Sequence, residues 1–523
     1  MRAGISADAA MKKWEIVLAI AGALLLGVST WAIRRTEPPH RELILADAHC
    51  RTPITVIEPE APKIAGSGVV FHGLSANRRI MEGLGVSLSQ EGLRVYLIDL
   101  PGHGDNTDAF TFARAQECAA AAVESLTSSG QIDPKRTVLV GHSMGAAIAI
   151  RMADREPAAA TIAISPAPMT LPRRMPANLL VFSAGSDLRM LKRQALELAH
   201  AAGGDRTGGD DFLQQRAFHL ESVSYATHTS LLFDWRVNAE SRRWIREALS
   251  PAARSAPEPG GSHLIDFVHH GRLVNGVAGS FAGLIGLLLA FPLLATVAAR
   301  ASGPAPTEVP GARPTLMLTE GAVCALAAAL LLEVFVPLRF LHIYAGDYLA
   351  SLLLAVGVPL LALNWKTARQ SLPSDAWSIL AAAALGLAVM LGIGLWLNWQ
   401  IDDMWLDGPR WMRFAAILPV AWIFSFAEEV MLGPVETGRR RARRFGLFLA
   451  LRAELWLACL LAYYSLASGQ VLIVILVTFL TLFSILQRLA TDALRIRTAT
   501  ATATAIFSAI LSAWFIADVF PLT

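Results

Sequence analysis

Two kinds of hydrophobic pattern divide the chain. Between about residues 37 and 257, short apolar runs alternate with stretches of mixed character, and charges, glycines and prolines are spread throughout. From about Gly276 onward, apolar blocks of about 20 residues follow one another with only short polar breaks. The first pattern predicts strands and surface helices, the second helices of bilayer length. One further apolar block, Trp14 to Ile33, follows Lys12 and Lys13. It is long for the apolar core of a cleaved signal, and Trp31-Ala-Ile-Arg-Arg lacks a small-residue cleavage site. Residues 14–33 are therefore expected to form an uncleaved transmembrane anchor.

Within residues 37–250 the runs Leu43–Leu45 and Ile54–Ile57 are expected to pair as an opening hairpin. Further strands are expected at Gly68–Phe71, Leu93–Leu100, Thr137–Val140, Ala160–Ser165, Leu179–Ser183 and Leu220–Ser224. Helical patterns lie between them, around Arg79–Gln90, Phe110–Ser128, Ala146–Arg155 and Leu188–Ala202. Strands alternating with helices argue for an α/β domain whose mainly parallel sheet is covered on both faces. The Pro-, Ala-, Ser- and Gly-rich run Ala252–Gly261 marks a linker, taken as residues 251–275. Residues 276–523 then read as an all-α, multi-pass transmembrane bundle of about eight helices, with Trp365, Trp377, Trp399 and Trp411 at block ends, as in an interfacial aromatic belt.

Composition changes this picture little. The formal charge of +3 is small and dispersed, which argues against nucleic-acid binding, and arginines gather beside apolar blocks, where membrane topology explains them. The four cysteines lack metal-site spacing, and no cofactor or metal site is expected. Cys324 and Cys459 lie inside apolar blocks; Cys50 and Cys118 would pair only if their domain faces an oxidising compartment.

The chemistry centres on Gly141-His142-Ser143-Met144-Gly145. This G-x-S-x-G run follows the strand Thr137-Val-Leu-Val and precedes the helix start Ala146-Ala-Ile-Ala-Ile, the strand–turn–helix setting of a nucleophile elbow. Val69-Val-Phe-His-Gly-Leu74 reads as a strand and His-Gly turn, and Val95-Tyr-Leu-Ile-Asp-Leu-Pro-Gly-His-Gly104 as a strand and D-x-P-G-x-G loop. Together these stretches resemble the α/β-hydrolase family over about residues 43–250. The resemblance implies that Ser143 is the nucleophile and that an acid and then a histidine follow it in the chain. Asp187, just past the strand Leu179–Ser183, suits the acid, with a helix N-cap as its structural alternative and Asp210, Asp211 and Asp234 as substitutes. His228, in the loop Ala226-Thr-His-Thr-Ser, suits the base better than His200, His219, His263, His269 or His270. By the same resemblance the backbone N–H groups of Leu74 and Met144 would form the oxyanion hole. His72, His103 and His142 are expected to support loops. The short, proline-rich interval from Ser165 to Leu179 leaves no room for a helical cap.

In the apolar half, Glu333, Glu428, Glu429, Arg452 and Glu454 are costly residues that ask for a role. The pair Glu428-Glu429 resembles that of CAAX-processing intramembrane proteases. That chemistry also needs histidines on later helices, and none follows His342. Pairing with each other, with Arg439–Arg444, or with interfacial water is the expected arrangement.

The sequence therefore points to a membrane-anchored serine hydrolase acting on carboxylic or thioesters, with an ester or lipid-like substrate and membrane lipid as its partners. A transporter or membrane scaffold with a hydrolase-like binding domain is the alternative. Short-loop charges (Arg439–Arg444, Lys366 and Arg369, Arg300 and Arg313, Arg488–Arg497, and the N-terminal Arg2, Lys12 and Lys13) would stay in the cytoplasm. They face only Arg339, Arg410 and Arg413, so the hydrolase domain is expected on the non-cytoplasmic face of the plasma (inner) membrane, although Arg34 and Arg35 argue the other way.

Overall fold

The computed structural model describes residues 12–36, 39–47, 49–59, 64–155, 158–250, 262–301, 311–400, 404–435, 439–466, 470–498 and 500–523, without side chains for 262–277 and 400. The chain divides into two compact units. One holds Val28–Phe281, Leu397–Met404 and Pro521–Thr523; the other holds Met1–Gly27, Ala282–Trp396 and Trp405–Phe520.

The first unit is built on an eight-stranded sheet, β1 (His40–Ala46), β2 (Arg51–Ile57), β3 (Gly66–Phe71), β4 (Leu93–Ile98), β5 (Thr137–His142), β6 (Ala160–Ile164), β7 (Leu179–Ala184) and β8 (Phe218–Val223). Their order is β1-β2-β4-β3-β5-β6-β7-β8. The expected hairpin is present: β1 and β2 pair antiparallel, β2 runs antiparallel to β4, and every later pairing is parallel.

Because side chains alternate between two covered faces, β5 to β7 are buried at every position and mostly apolar. On one face Ile162, Ile164, Leu180 and Phe182 meet α2 (Glu82–Ser89) and α7 (Trp235–Leu249), through Leu84, Leu88, Trp244 and Ile245. On the other, Ala163, Leu179 and Val181 meet α4 (Met144–Ala153) and α5 (Arg189–Ala202), through Ile150, Ala195 and Leu198. Each large side chain so buried contributes about 1.5–3 kcal/mol. The short α6 (Gly209–Leu213) adds Phe212 against Trp244, their ring centroids 4.7 Å apart. The helix α3 (Phe112–Ser128), capped by the Thr111 side chain, carries Cys118, which is disulfide-bonded to Cys50.

The second unit contains the N-terminal part of α1 (Lys13–Thr36) and most of the helices α8 (Ser262–Arg300), α9 (Pro314–Leu332), α10 (Gly346–Leu363), α11 (Trp365–Ser371), α12 (Ala376–Gln400), α13 (Gly408–Leu432), α14 (Arg439–Leu466), α15 (Val471–Thr498) and α16 (Ala501–Val519). Among the described residues, nine helices are long and apolar enough to cross a membrane. The block expected from Val277 is the later part of a helix that starts at Ser262, within the stretch read as linker; residues 251–261 lie outside the described residues. α1 is more than a separate tether. Its Glu15, 1% exposed, accepts from Arg497 of α15 at 2.6 Å and from Thr296 of α8 at 3.0 Å.

The run Thr498–Ala505 also has a use: Ala501 and Ala505 let α16 pack closely on Phe426 and Val430 of α13. Five of the arginines read as loop charges are packed inside the helical unit. Arg444, Arg488, Arg495 and Arg497 lie within helices and pair with buried acids, and Arg410 is buried against the carbonyls of Ala517 and Asp518. These five are packing charges and cannot be counted as loop charges.

Candidate active site

The sheet order brings the sequence candidates to one edge. β3, β5, β7 and β8 run parallel, so the residues just past their C-terminal ends gather there. Those residues are the Gly73-Leu74 turn, Ser143, Asp187 and the loop carrying His228.

Ser143 stands between β5 and α4 with φ 54° and ψ −114°, a conformation that L-residues rarely adopt. Its N–H donates to the Ile164 carbonyl at 2.9 Å, and its own carbonyl accepts from Ala146, Ala147 and Ala167. The flanking glycines are required by space. A Cβ on Gly141 would lie 2.1 Å from the Gly145 carbonyl oxygen, and one on Gly145 would lie 2.1 Å from that of Phe71. The turn after β3 is close at hand, since a Cβ on Gly73 would sit 3.2 Å from the Ser143 Cβ. Met144 opens α4, and Leu74 begins a turn whose next residue, Ser75, has φ 56°.

Asp187 and His228 meet directly: His228 Nδ1 is 2.8 Å from Asp187 Oδ1. Since an ionised carboxylate only accepts, Nδ1 carries the proton and donates it, which leaves Nε2 as the basic atom. The Asp187 side chain is 1% exposed and that of His228 12% exposed. Burial opposes the charge on Asp187, but hydrogen bonds from His228, Ser165 and the Ala184 N–H outweigh it and hold the carboxyl below its ordinary range. The N-cap alternative does not apply, because the cap of α5 is Leu188 and makes no side-chain bond. Of the substitutes, Asp210 is exposed, Asp211 pairs with Arg216, and Asp234 caps α7 and accepts from Tyr225. His219 lies between Asp205 and Glu221. The side chains of His263, His269 and His270 are outside those described.

Sequence reasoning missed one polar neighbour. Ser165, just past β6 with φ 46°, donates its hydroxyl to Asp187 Oδ2, and its Oγ lies 3.0 Å from His228 Nδ1. The only sequence signal was its place at a strand end, and a serine there is commonplace.

The supporting histidines have definite tasks. His142 packs against His228 with its ring tilted by 46° and centroids 4.7 Å apart, and donates from Nε2 to the His228 carbonyl at 3.0 Å. Burial, with the His228 charge second, pushes its pKa down to about 3, so it is neutral at neutral pH. His72 accepts from the Leu100 N–H at Nε2 and donates from Nδ1 to Gly73, which ties the His-Gly turn to the D-x-P-G-x-G loop. Asp99 of that loop is fully buried and is held by Arg78, which also reaches Asp105 at 2.6 Å and Glu42 at 3.1 Å. From Ser165 to Asn178 there is no helix, in keeping with the prolines. Among the described residues no group of three or more His, Cys, Asp or Glu is placed to hold a metal ion.

Residues 69–274 match the family model described as "Alpha/beta hydrolase family". An uncharacterised protein of Mycobacterium tuberculosis is 36% identical over 104 residues, which are 19% of this chain and 37% of that protein. This chain thus spans well under half the length of that curated relative. Among solved structures, a lidless α/β serine hydrolase of Xanthomonas campestris is similar at 16% identity over 42% of this chain and 98% of its own, with TM-score 0.33. A Pyrococcus furiosus esterase is similar at 15% identity over 41% and 92%, also with TM-score 0.33. The first unit has the α/β-hydrolase fold, and several long apolar helices follow it in the chain.

Proposed function

We propose that the chain is a membrane-integral serine ester hydrolase with Ser143, His228 and Asp187 as its triad. The observation that carries this reading is the Asp187–His228 hydrogen bond, formed at the sheet edge where Ser143 stands on its elbow. His228 Nε2 takes the Ser143 proton as Oγ attacks the ester or thioester carbonyl. The N–H groups of Met144 and Leu74 receive the oxyanion, and His228⁺ returns the proton to the departing alkoxide or thiolate. Water, deprotonated by the same imidazole, then attacks the acyl-enzyme and releases the acid and free Ser143. A fluorophosphonate probe incubated with the full-length protein in detergent is expected to add one mass label, on the peptide containing Ser143. Labelling elsewhere, or none, would favour a binding domain of a transporter or scaffold.

The hydrolase domain is proposed to face an oxidising, non-cytoplasmic space. The Cys50–Cys118 bond supports this, because such bonds persist where thiols are not kept reduced. The positive charges at and between the ends of the apolar helices that remain once the packed arginines are set aside, Lys366, Arg369, Arg300 and Arg313 among them, favour the same orientation. Protein taken from cells in denaturant is expected to show Cys50 and Cys118 reacting with a maleimide only after reduction. If both react without reductant, the domain lies in the cytoplasm.

A further inference from the structure

The second unit holds an ionic network that ester hydrolysis does not use. Glu428 and Glu429 of α13 face Arg444 and Arg452 of α14 and Arg488, Asp492 and Arg495 of α15, and none of these is more than 8% exposed. Arg444 reaches Glu429 at 3.2 Å and Asp492 at 2.9 Å; Arg488 reaches Glu429 at 2.5 Å and Asp492 at 2.8 Å. The residues that face the glutamates from the later helices are thus arginines, beyond the Arg439–Arg444 run expected. Burying ions is costly, and apolar packing would hold these helices at least as well, so such a network marks a function more readily than stability.

Its two ends differ. At the Glu429 end, two carboxylates serve Arg444 and Arg488. At the other, Glu428 is divided between Arg452 at 2.9 Å and Arg488 at 3.6 Å. Arg452 rests against the rings of Phe424 and Phe448, 5.0 and 4.9 Å from their centroids. It also lines two cavities, of about 20 Å³ beside Glu428 and about 50 Å³ toward α15 and α16.

Donors line part of the larger cavity. Trp456, one turn beyond Arg452, lines it, is 8% exposed, and has a buried Nε1–H without an acceptor among the described residues. Ser425 and Ser512 add hydroxyls, that of Ser484 donates to the Leu480 carbonyl, and Leu349, Phe483 and Ile516 are among the apolar side chains of the wall. A volume of about 50 Å³ holds a few waters or one carboxylate- or phosphate-sized group.

We propose that this cavity binds the anionic head of an acyl amphiphile, whose oxygens accept from Arg452 and Trp456 while its chain lies along the apolar wall. Neither the triad nor ester turnover enters this inference.

The test uses full-length protein in detergent, a photoreactive palmitate analogue, and mass-spectrometric mapping of the cross-links. Cross-links are expected on α14, α15 and α16 around the cavity, competed by palmitate or palmitoyl lysophosphatidate and not by methyl palmitate. The stronger of the two competitors identifies carboxylate or phosphate as the head. Trp456→Phe, which removes only the donor, is expected to weaken binding about tenfold. Arg452→Lys, which keeps the charge and loses the fork, is expected to weaken it as well. Equal competition by methyl palmitate, or unchanged binding by Trp456→Phe, would overturn the proposal, and Trp456→Phe decides the matter even if Arg452→Lys does not fold. Because cross-links are located by peptide, capture at the hydrolase domain is distinguished from capture here.

Discussion

Ser143→Ala and His228→Ala are each expected to lower p-nitrophenyl ester turnover by about 10⁴-fold or more while leaving the protein folded. Ser143 supplies the only protein atom in the proposed mechanism that becomes bonded to the acyl group, and His228 handles every proton transfer. The two act as one unit, so the double variant should be barely worse than either single one. Both side chains sit on loops past strand ends and contribute little to the core, which predicts melting temperatures close to that of the parent. Turnover near the parental rate in either variant would remove the triad assignment.

Asp187→Asn is expected to cost about 10³–10⁴-fold, nearly all in kcat. The carboxylate holds the proton on His228 Nδ1 and stabilises the imidazolium. An amide can present its NH₂ to Nδ1 instead, which would move the proton to Nε2 and abolish the base. Asp210→Asn should leave turnover unchanged. Asp234→Asn should do the same, since Asn caps a helix about as well as Asp. A silent Asp187→Asn would mean that another carboxylate orients His228.

The elbow was readable in the sequence because its constraints are local: a strand, two glycines that admit no Cβ, and a helix within about a dozen positions. Asp187 and His228 could be placed because each follows a strand in a regular βα alternation. Ser165 could not, since its meeting with Asp187 spans 22 residues and depends on the β6–β7 register that sets Ile164 beside Phe182. Arg78 was hidden for a similar reason, as its carboxylate partners come from β1 and from the loop after β4. In the apolar half, α14 begins at Arg439 and carries Arg444 and Arg452 two turns apart, and α15 runs on to Thr498 with Arg488, Asp492 and Arg495 on one face. The sequence did not reveal those helix ends, nor that α14 and α15 both turn those faces toward α13. Reading these arginines as loop charges followed from that gap.

The backbone at Ser143 has a bearing on ancestry. A non-glycine residue held at φ 54° and ψ −114° costs the fold on the order of 1–3 kcal/mol, and the hydroxyl returns none of it as packing. In a lineage released from covalent catalysis, mutation to glycine at this one codon would relieve the torsion and yield a sturdier fold at once. Under the proposed mechanism that torsion is what presents the hydroxyl at the sheet edge, so Ser143→Gly is expected to raise the melting temperature while abolishing turnover.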